Sequence, residues 1–283
     1  MQNKKCSTIG GQAVLEGVMM RGKSSMATAV RDPKGNIVVE SSRFVPNDQK
    51  SVFYRIPIIR GVLNFVSSMA SGIKTLNRSS EVFTGMENEE PSKFEKWLAK
   101  KFNVDIMSVL IFISLFIGLA LAIGLFVVLP HLATEGIIRL FRIAPKPIFI
   151  NLIAGAVRIA IFIVYILLIG LMKDIKRLFR YHGAEHKVIS CYEHGLDLTV
   201  ENVQKMTTVH DRCGTTFIFI IMIFSIIFFS FDVFSQNFWQ RILIRIVFIP
   251  FVAGISYELL KLFAKYDNFF TRIMKFPGLM LQN

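Results

Sequence analysis

The chain has 283 residues, 53% of them hydrophobic, a mean hydropathy of +0.50, and a net charge of +13 from 33 Lys+Arg against 20 Asp+Glu. Apolarity of that degree, gathered into long runs, excludes an ordinary soluble domain and points to membrane spans. The basic excess then marks a cytoplasmic side in contact with anionic lipid rather than a nucleic-acid surface.

The first thirty residues contain no apolar h-region, so no cleaved signal peptide is expected. Residues 8–22 are punctuated by Gly10, Gly11, Gly17 and Gly22 and read as part of a small sheet. Met26–Arg31 and Asn36–Phe44 flank Asp32-Pro33-Lys34-Gly35, where Pro presets φ and Gly accepts a left-handed position, the pattern of a β-hairpin. Gly17 to Ser24 matches the phosphate-loop pattern G-x-x-x-x-G-K-[ST]. The residues after Ser24 read as a strand rather than a helix, so nucleotide binding is not expected.

Pro57 opens a helical pattern to about Phe83, with apolar residues at Ile59, Val62, Leu63, Val66, Met69, Ile73 and Leu76. Arg60, Asn64, Lys74 and Asn77 make it a poor span, and the preferred expectation is a helix packed on the N-terminal sheet rather than on the membrane surface. Residues 84–92 read as an acidic linker and Lys93–Lys101 as a basic amphipathic lead into the membrane.

Four spans come next: Met107–Leu129, ended by Pro130; Ile148–Leu171, interrupted by Arg158; the short Phe217–Phe231; and Ile242–Leu260, which carries Arg245, Pro250 and Glu258. Lys and Arg number 16 before the first span, 7 in residues 173–216 and 4 in 261–283. Residues 130–147 hold 3 and residues 232–240 none. The positive-inside rule therefore puts both termini and the middle loop in the cytoplasm of a multi-pass cell-membrane protein. Arg158, near mid-membrane, needs a partner that the sequence does not reveal, such as a water-filled cavity or a lipid phosphate.

The second span runs into His182-Gly183-Ala184-Glu185-His186, an H-x-x-E-H pattern. On a helix, positions i and i+4 share a face, so His182 and His186 can offer nitrogens to one metal ion. Glu185 beside them suits a general base acting on metal-bound water, as in inverted zinc peptidases. Spacing does not fix the third ligand. Glu193, His194, Glu201, His210, Cys191 and Cys213 all lie within the next 27 residues, with Glu193 the first choice. Thiolate and imidazole together favour zinc. The three cysteines, Cys6, Cys191 and Cys213, form no disulfide framework and read as reduced thiols or ligands. Tyr257-Glu258 lies at the same cytoplasmic depth as Cys213, where Glu258 needs a partner: the histidine cluster or Arg212.

The motifs together resemble the YqhQ-like family of bacterial membrane proteins. They are the run Gly10 to Gly22, Pro57 to Gly61, Tyr181 to Lys187, Arg212 to Thr215, Tyr257-Glu258, Pro277-Gly278-Leu279 and Leu281-Gln282. The resemblance implies membrane location and a metal-dependent enzyme of undefined substrate. Because family members continue past the Leu-Gln with a polar tail, it also implies a shortened C-terminus here.

The expected fold is an α-helical polytopic membrane protein with about four transmembrane helices and a small α+β N-terminal cytoplasmic domain. Its parts are residues 1–83 (the α+β domain), 84–106 (linker and lead-in), 107–171 (first transmembrane pair), 172–216 (loop with the His/Glu/Cys cluster), 217–260 (second pair) and 261–283 (cytoplasmic tail). The functional expectation is a metal-dependent hydrolase at the cytoplasmic membrane face. A scaffold binding a protein partner through its basic surface and a small transporter or lipid-handling protein are the alternatives.

Overall fold

A computed structural model describes residues 9–46, 52–85, 106–142, 146–211, 213–230, 238–266 and 268–282. The linker and basic lead-in expected at 84–101 therefore lie almost wholly outside the described residues, as does Arg212. The chain divides into two compact units that interleave along the sequence. The first comprises residues 1–85, 168–225 and 248–283, and the second 86–167 and 226–247.

The first unit opens with four antiparallel strands in sequential order: β1 (Gly10–Val14), β2 (Gly17–Arg21), β3 (Ser25–Arg31) and β4 (Ile37–Arg43). The Asp32–Gly35 turn forms as its residues require: Asp32 Oδ1 accepts from the Asn36 N–H at 2.7 Å, and Gly35 takes φ 90°. The phosphate-loop pattern at 17–24 is strand β2 and the turn into β3, with no helix behind it. Gly17 is required by packing, because a Cβ there would stand 2.1 Å from the Ala29 carbonyl oxygen.

Helix α1 (Ile59–Thr84) has two different jobs along its length. Its C-terminal half covers the sheet, where Val14, Met19, Val30 and Val82 form a buried apolar cluster. There the Ser79 hydroxyl takes the Leu15 N–H at 3.2 Å. Its first turns lie instead against a later helix. A Cβ on Gly61 would come within 2.6 Å of the Gly254 carbonyl oxygen, a backbone approach that only glycine permits.

In the second unit, α2 (Ile106–Ile123) continues through a π turn (Gly124–Val128) into α3 (Leu129–Leu140). Pro130 does not end this helix as the sequence suggests. It sits in the first turn of α3, directly after the π turn, where a widened ladder accommodates its missing N–H. Helix α4 (Pro147–Gly170) carries Arg158, whose Nε donates to the Phe126 carbonyl at 2.9 Å. The π turn thus holds a backbone acceptor for the arginine's Nε, a partner that the sequence did not reveal.

Helices α5 (Lys173–Glu193), α6 (Val200–Gln204), α7 (Gly214–Ser230), α8 (Phe238–Lys265) and α9 (Phe269–Met280) complete the chain. Among the described residues, three helical stretches are long and apolar enough to cross a membrane: Phe112–Leu140, Ile148–Gly170 and Ile246–Phe263. The apolar stretch Gly214–Phe229 is shorter.

Candidate functional site

Helix α5 turns one face to the protein and buries it. Glu185, His186, Ile189, Ser190 and Glu193 are buried at the spacing of a single helical stripe, and Cys191 is buried near the helix's C-terminal end. This stripe lies against β1. A Cβ on Gly11 would stand 2.6 Å from Cγ of Glu185, so the glycine of the strand lets the carboxylate reach its place. Where the β1–β2 hairpin turns, buried Glu16 is paired with Arg177 of α5 and takes the Tyr181 hydroxyl at 3.2 Å. Sequence reasoning missed Glu16. Its only signal was a carboxylate set in an otherwise apolar strand-and-turn run.

Beside this stripe stands Cys213, the last residue before α7. Nε2 of His182 lies 3.1 Å from Cys213 Sγ, and Nδ1 of the same ring lies 3.0 Å from Glu185 Oε2. The His186 ring centroid is 4.3 Å from that of His182, and its Nδ1 donates to the Thr208 carbonyl. One ligand atom from each of His182, His186 and Cys213 lies within 4.8 Å of the others. Each ring therefore has Nδ1 engaged by an oxygen, which fixes the ring's orientation, and Nε2 of His182 is turned to the Cys213 sulfur. The Thr215 backbone N–H and hydroxyl also reach Cys213 Sγ, at 3.4 and 3.2 Å, where the first turn of α7 supplies spare donors.

The electrostatics of the pair are mutual. Burial alone pushes the Cys213 thiol up, but the hydrogen bond from His182, with His186 and Thr215, more than reverses this and brings it down to about 6. Burial alone pushes His182 down, and its hydrogen bonds to Cys213 and Glu185 carry it up to about 10.

These groups line a cavity of about 120 Å³ together with Ile9, Gly10, Gly11, Ile189, His210 and Gly214. Strand β1 and the α5 and α7 elements thus share one pocket. Behind it, Glu193 Oε2 lies 3.5 Å from His210 Nε2, so Glu193 faces that ring while Cys213 is the third group beside His182 and His186. The remaining ligand candidates lie elsewhere. The Cys191 thiol is 3.5 Å from the Asp197 carbonyl, His194 Nδ1 bonds the Ser190 carbonyl, and Glu201 is exposed in α6. The C-terminal motif closes the far side. Gln282 Oε1 accepts the His210 N–H at 2.7 Å and its amide donates to Thr215 and Thr216. Gly278 abuts Thr216.

Glu258 does not join the cluster. Arg60 Nε donates to its Oε1 at 2.6 Å and the guanidinium engages the second oxygen as well, while Tyr257 accepts from Asn64 at 3.3 Å. Arg158 belongs to the second unit and has the backbone partner already described.

The described residues thus define a mostly helical protein with three helices apolar and long enough to cross a membrane, a small antiparallel sheet, and a buried His/Cys/Glu cluster between strand and helix. The family model described as a protein of unknown function (DUF1385) matches residues 56–283. The chain is also similar to the uncharacterized protein YqhQ of Bacillus subtilis (strain 168), 34% identical over 274 residues that cover 96% of this chain and 84% of that one. The chain belongs to this YqhQ-like DUF1385 family. No solved structure matches it.

Proposed function

We propose that the chain is a four-span membrane protein, with both termini cytoplasmic, that binds a transition metal through His182, His186 and Cys213 at the cytoplasmic face. The fourth crossing is the shorter helix Gly214–Ser230. The observation that carries the metal reading is the convergence of two imidazoles and a thiol, with each imidazole's Nδ1 already bonded to an outer oxygen. Ligating histidines are oriented in this way, and a nitrogen–sulfur donor set favours zinc. The carboxylate of Glu185 is engaged by His182, which makes it a positioning residue; this replaces the general-base role suggested by the sequence pattern. Glu193 plays the analogous part towards His210 instead of serving as a ligand. Three protein donors beside a cavity are the arrangement of a hydrolytic rather than a sealed structural zinc site, because the fourth position is left for water or substrate.

A second reading rests on the row Cys213–His182–Glu185, with separations of 3.1 and 3.0 Å. Nucleophile, base and orienting acid stand in that order in thiol acyl-transfer enzymes.

Elemental analysis of untagged, detergent-purified protein separates the two. The metal reading expects about one equivalent of zinc per chain, as a three-donor site of this kind holds one ion. It also expects loss of that zinc in the His182→Ala/His186→Ala double variant and in Cys213→Ala. Protein that is metal-free as purified and takes up none on titration sinks it. The thiol reading then stands if Cys213 alone is acylated by an activated ester.

A further inference from the structure

The C-terminal helix α9 is amphipathic in the reverse sense to a helix on a soluble protein. Thr271, Lys275 and Gly278 are buried, and they lie on the face that meets the site. Lys275 Nζ pairs with Asp211 at 3.1 Å, and a Cβ on Gly278 would stand 2.6 Å from Thr216 Cα. The outward face carries Phe269, Phe270, Ile273, Phe276 and Met280, with exposures of 81, 58, 49, 59 and 60%. At 100° per residue, four of these five fall within about 60° of one another, opposite the buried three.

Three features identify what covers this face. First, α9 comes after the candidate span Ile246–Phe263 and a short connection, and the Phe270 ring still packs edge-on against Phe263 of that span at 6.0 Å. Its start is therefore held at the depth where the span ends. Second, its 12 residues reach only about 18 Å, too little to cross roughly 30 Å of hydrocarbon. Third, the connection carries exposed Lys265 and Tyr266, in cation–π contact at 5.5 Å, a pairing suited to the headgroup layer.

We infer that α9 lies in the plane of the membrane interface, with Phe269, Ile273, Phe276 and Met280 in the acyl boundary. It is thus a lipid-seated wall of the functional site. The inference rests on the membrane reading of the proposed function. It goes beyond that reading because residues 261–283 then form an interfacial anchor rather than a cytoplasmic tail. Through Gln282, which holds the His210 N–H, the same helix ties the bilayer surface to the cavity.

The test uses the full chain in nanodiscs of phosphatidylcholine and phosphatidylglycerol, in a Trp97→Phe/Trp239→Phe background. A single tryptophan is placed by Phe276→Trp or, separately, by Ile273→Trp. Leu167→Trp, on an exposed position of a candidate span, reports embedding of the protein itself. Replacing the phosphatidylcholine with its acyl-brominated form should remove most of the fluorescence of all three variants. Quenching at position 167 without quenching at 273 and 276 overturns the inference. If inter-chain crosslinks then form through that face, its occupant is a second copy of the chain. Absence of quenching at all three positions overturns the membrane reading together with this inference.

Discussion

Gly11 of β1 and Glu185 of α5 approach so closely that no side chain larger than hydrogen fits between them: a Cβ at position 11 would lie 2.6 Å from Glu185 Cγ and 2.7 Å from Oε1. The strand therefore sets where the carboxylate sits, and the carboxylate sets the orientation of His182 through the bond to Nδ1. A methyl group at position 11 must push Glu185 away. Outer partners of ligating histidines typically change metal affinity by 10- to 100-fold. Gly11→Ala should accordingly weaken zinc binding by about that factor while leaving the helical circular dichroism intact. Competition with a chromogenic chelator reads the affinity. Unchanged affinity would show that Glu185 does not act through His182.

The thiol–imidazole pair predicts a distinct pH response in metal-free protein. Cys213 is lowered from 9.0 to about 6, and His182 is raised from 6.5 to about 10. The thiolate is then present at neutral pH. In a Cys6→Ser/Cys191→Ala background, the rate of alkylation by iodoacetamide should rise with a midpoint near 6 and not near 9. His182→Ala should move that midpoint back up, and bound zinc should suppress the reaction. Stability is coupled to the same titrations by linkage. The contribution of the depressed thiol is present above its unfolded value of 9.0 and is lost as pH falls to about 6. The contribution of the raised histidine is present below 6.5 and is lost as pH rises to about 10. Between 6.5 and 9.0 the folded pair and the unfolded pair hold the same number of protons. Stability should be flat there and decline on both sides, towards about 6 and about 10.

Local chemistry was the part of this molecule most legible in the sequence. The Asp32–Gly35 turn, the long helix after Pro57 and the H-x-x-E-H face arise from short-range rules, and the structure has each of them. Pro130 misled because a proline stop presumes a regular ladder, and the π turn before it relaxes that ladder. The partners of charged groups were hidden for a different reason. Arg60 and Glu258 are separated by 198 residues, and Gly11 and Glu185 (185 − 11) by 174. Spacing rules say nothing about such pairs. Spacing also could not rank the candidate third ligands: it put the nearer Glu193 first, whereas Cys213, 31 residues after His182 and just ahead of another helix, is the one that stands beside the two histidines. Once the fold is known, most of the separate motifs prove to meet two by two: Gly11 with Glu185, Arg60 with Glu258, and Gly278 and Gln282 with the run from Cys213 to Thr216.

The Arg60–Glu258 pair shows what such long-range contacts contribute. Glu258 lies within the stretch Ile246–Phe263, where an unpaired carboxylate is costly, and the fork of Arg60 meets both of its oxygens. The two side chains are only 28 and 22% exposed, so solvent screens them little. Glu258→Gln strands a guanidinium and Arg60→Leu strands a carboxylate. Each should cost on the order of 2–3 kcal/mol, since breaking one side of a poorly solvated pair leaves the other charge uncompensated. The Arg60→Leu/Glu258→Leu double variant removes both charges and should be less destabilised than the two single costs added together. Thermal unfolding of the four proteins in one detergent closes the cycle and yields the coupling energy. Additive costs would mean that the two residues act independently, and that the first turns of α1 are held against α8 by the Gly61–Gly254 approach and the Asn64–Tyr257 hydrogen bond without the ion pair.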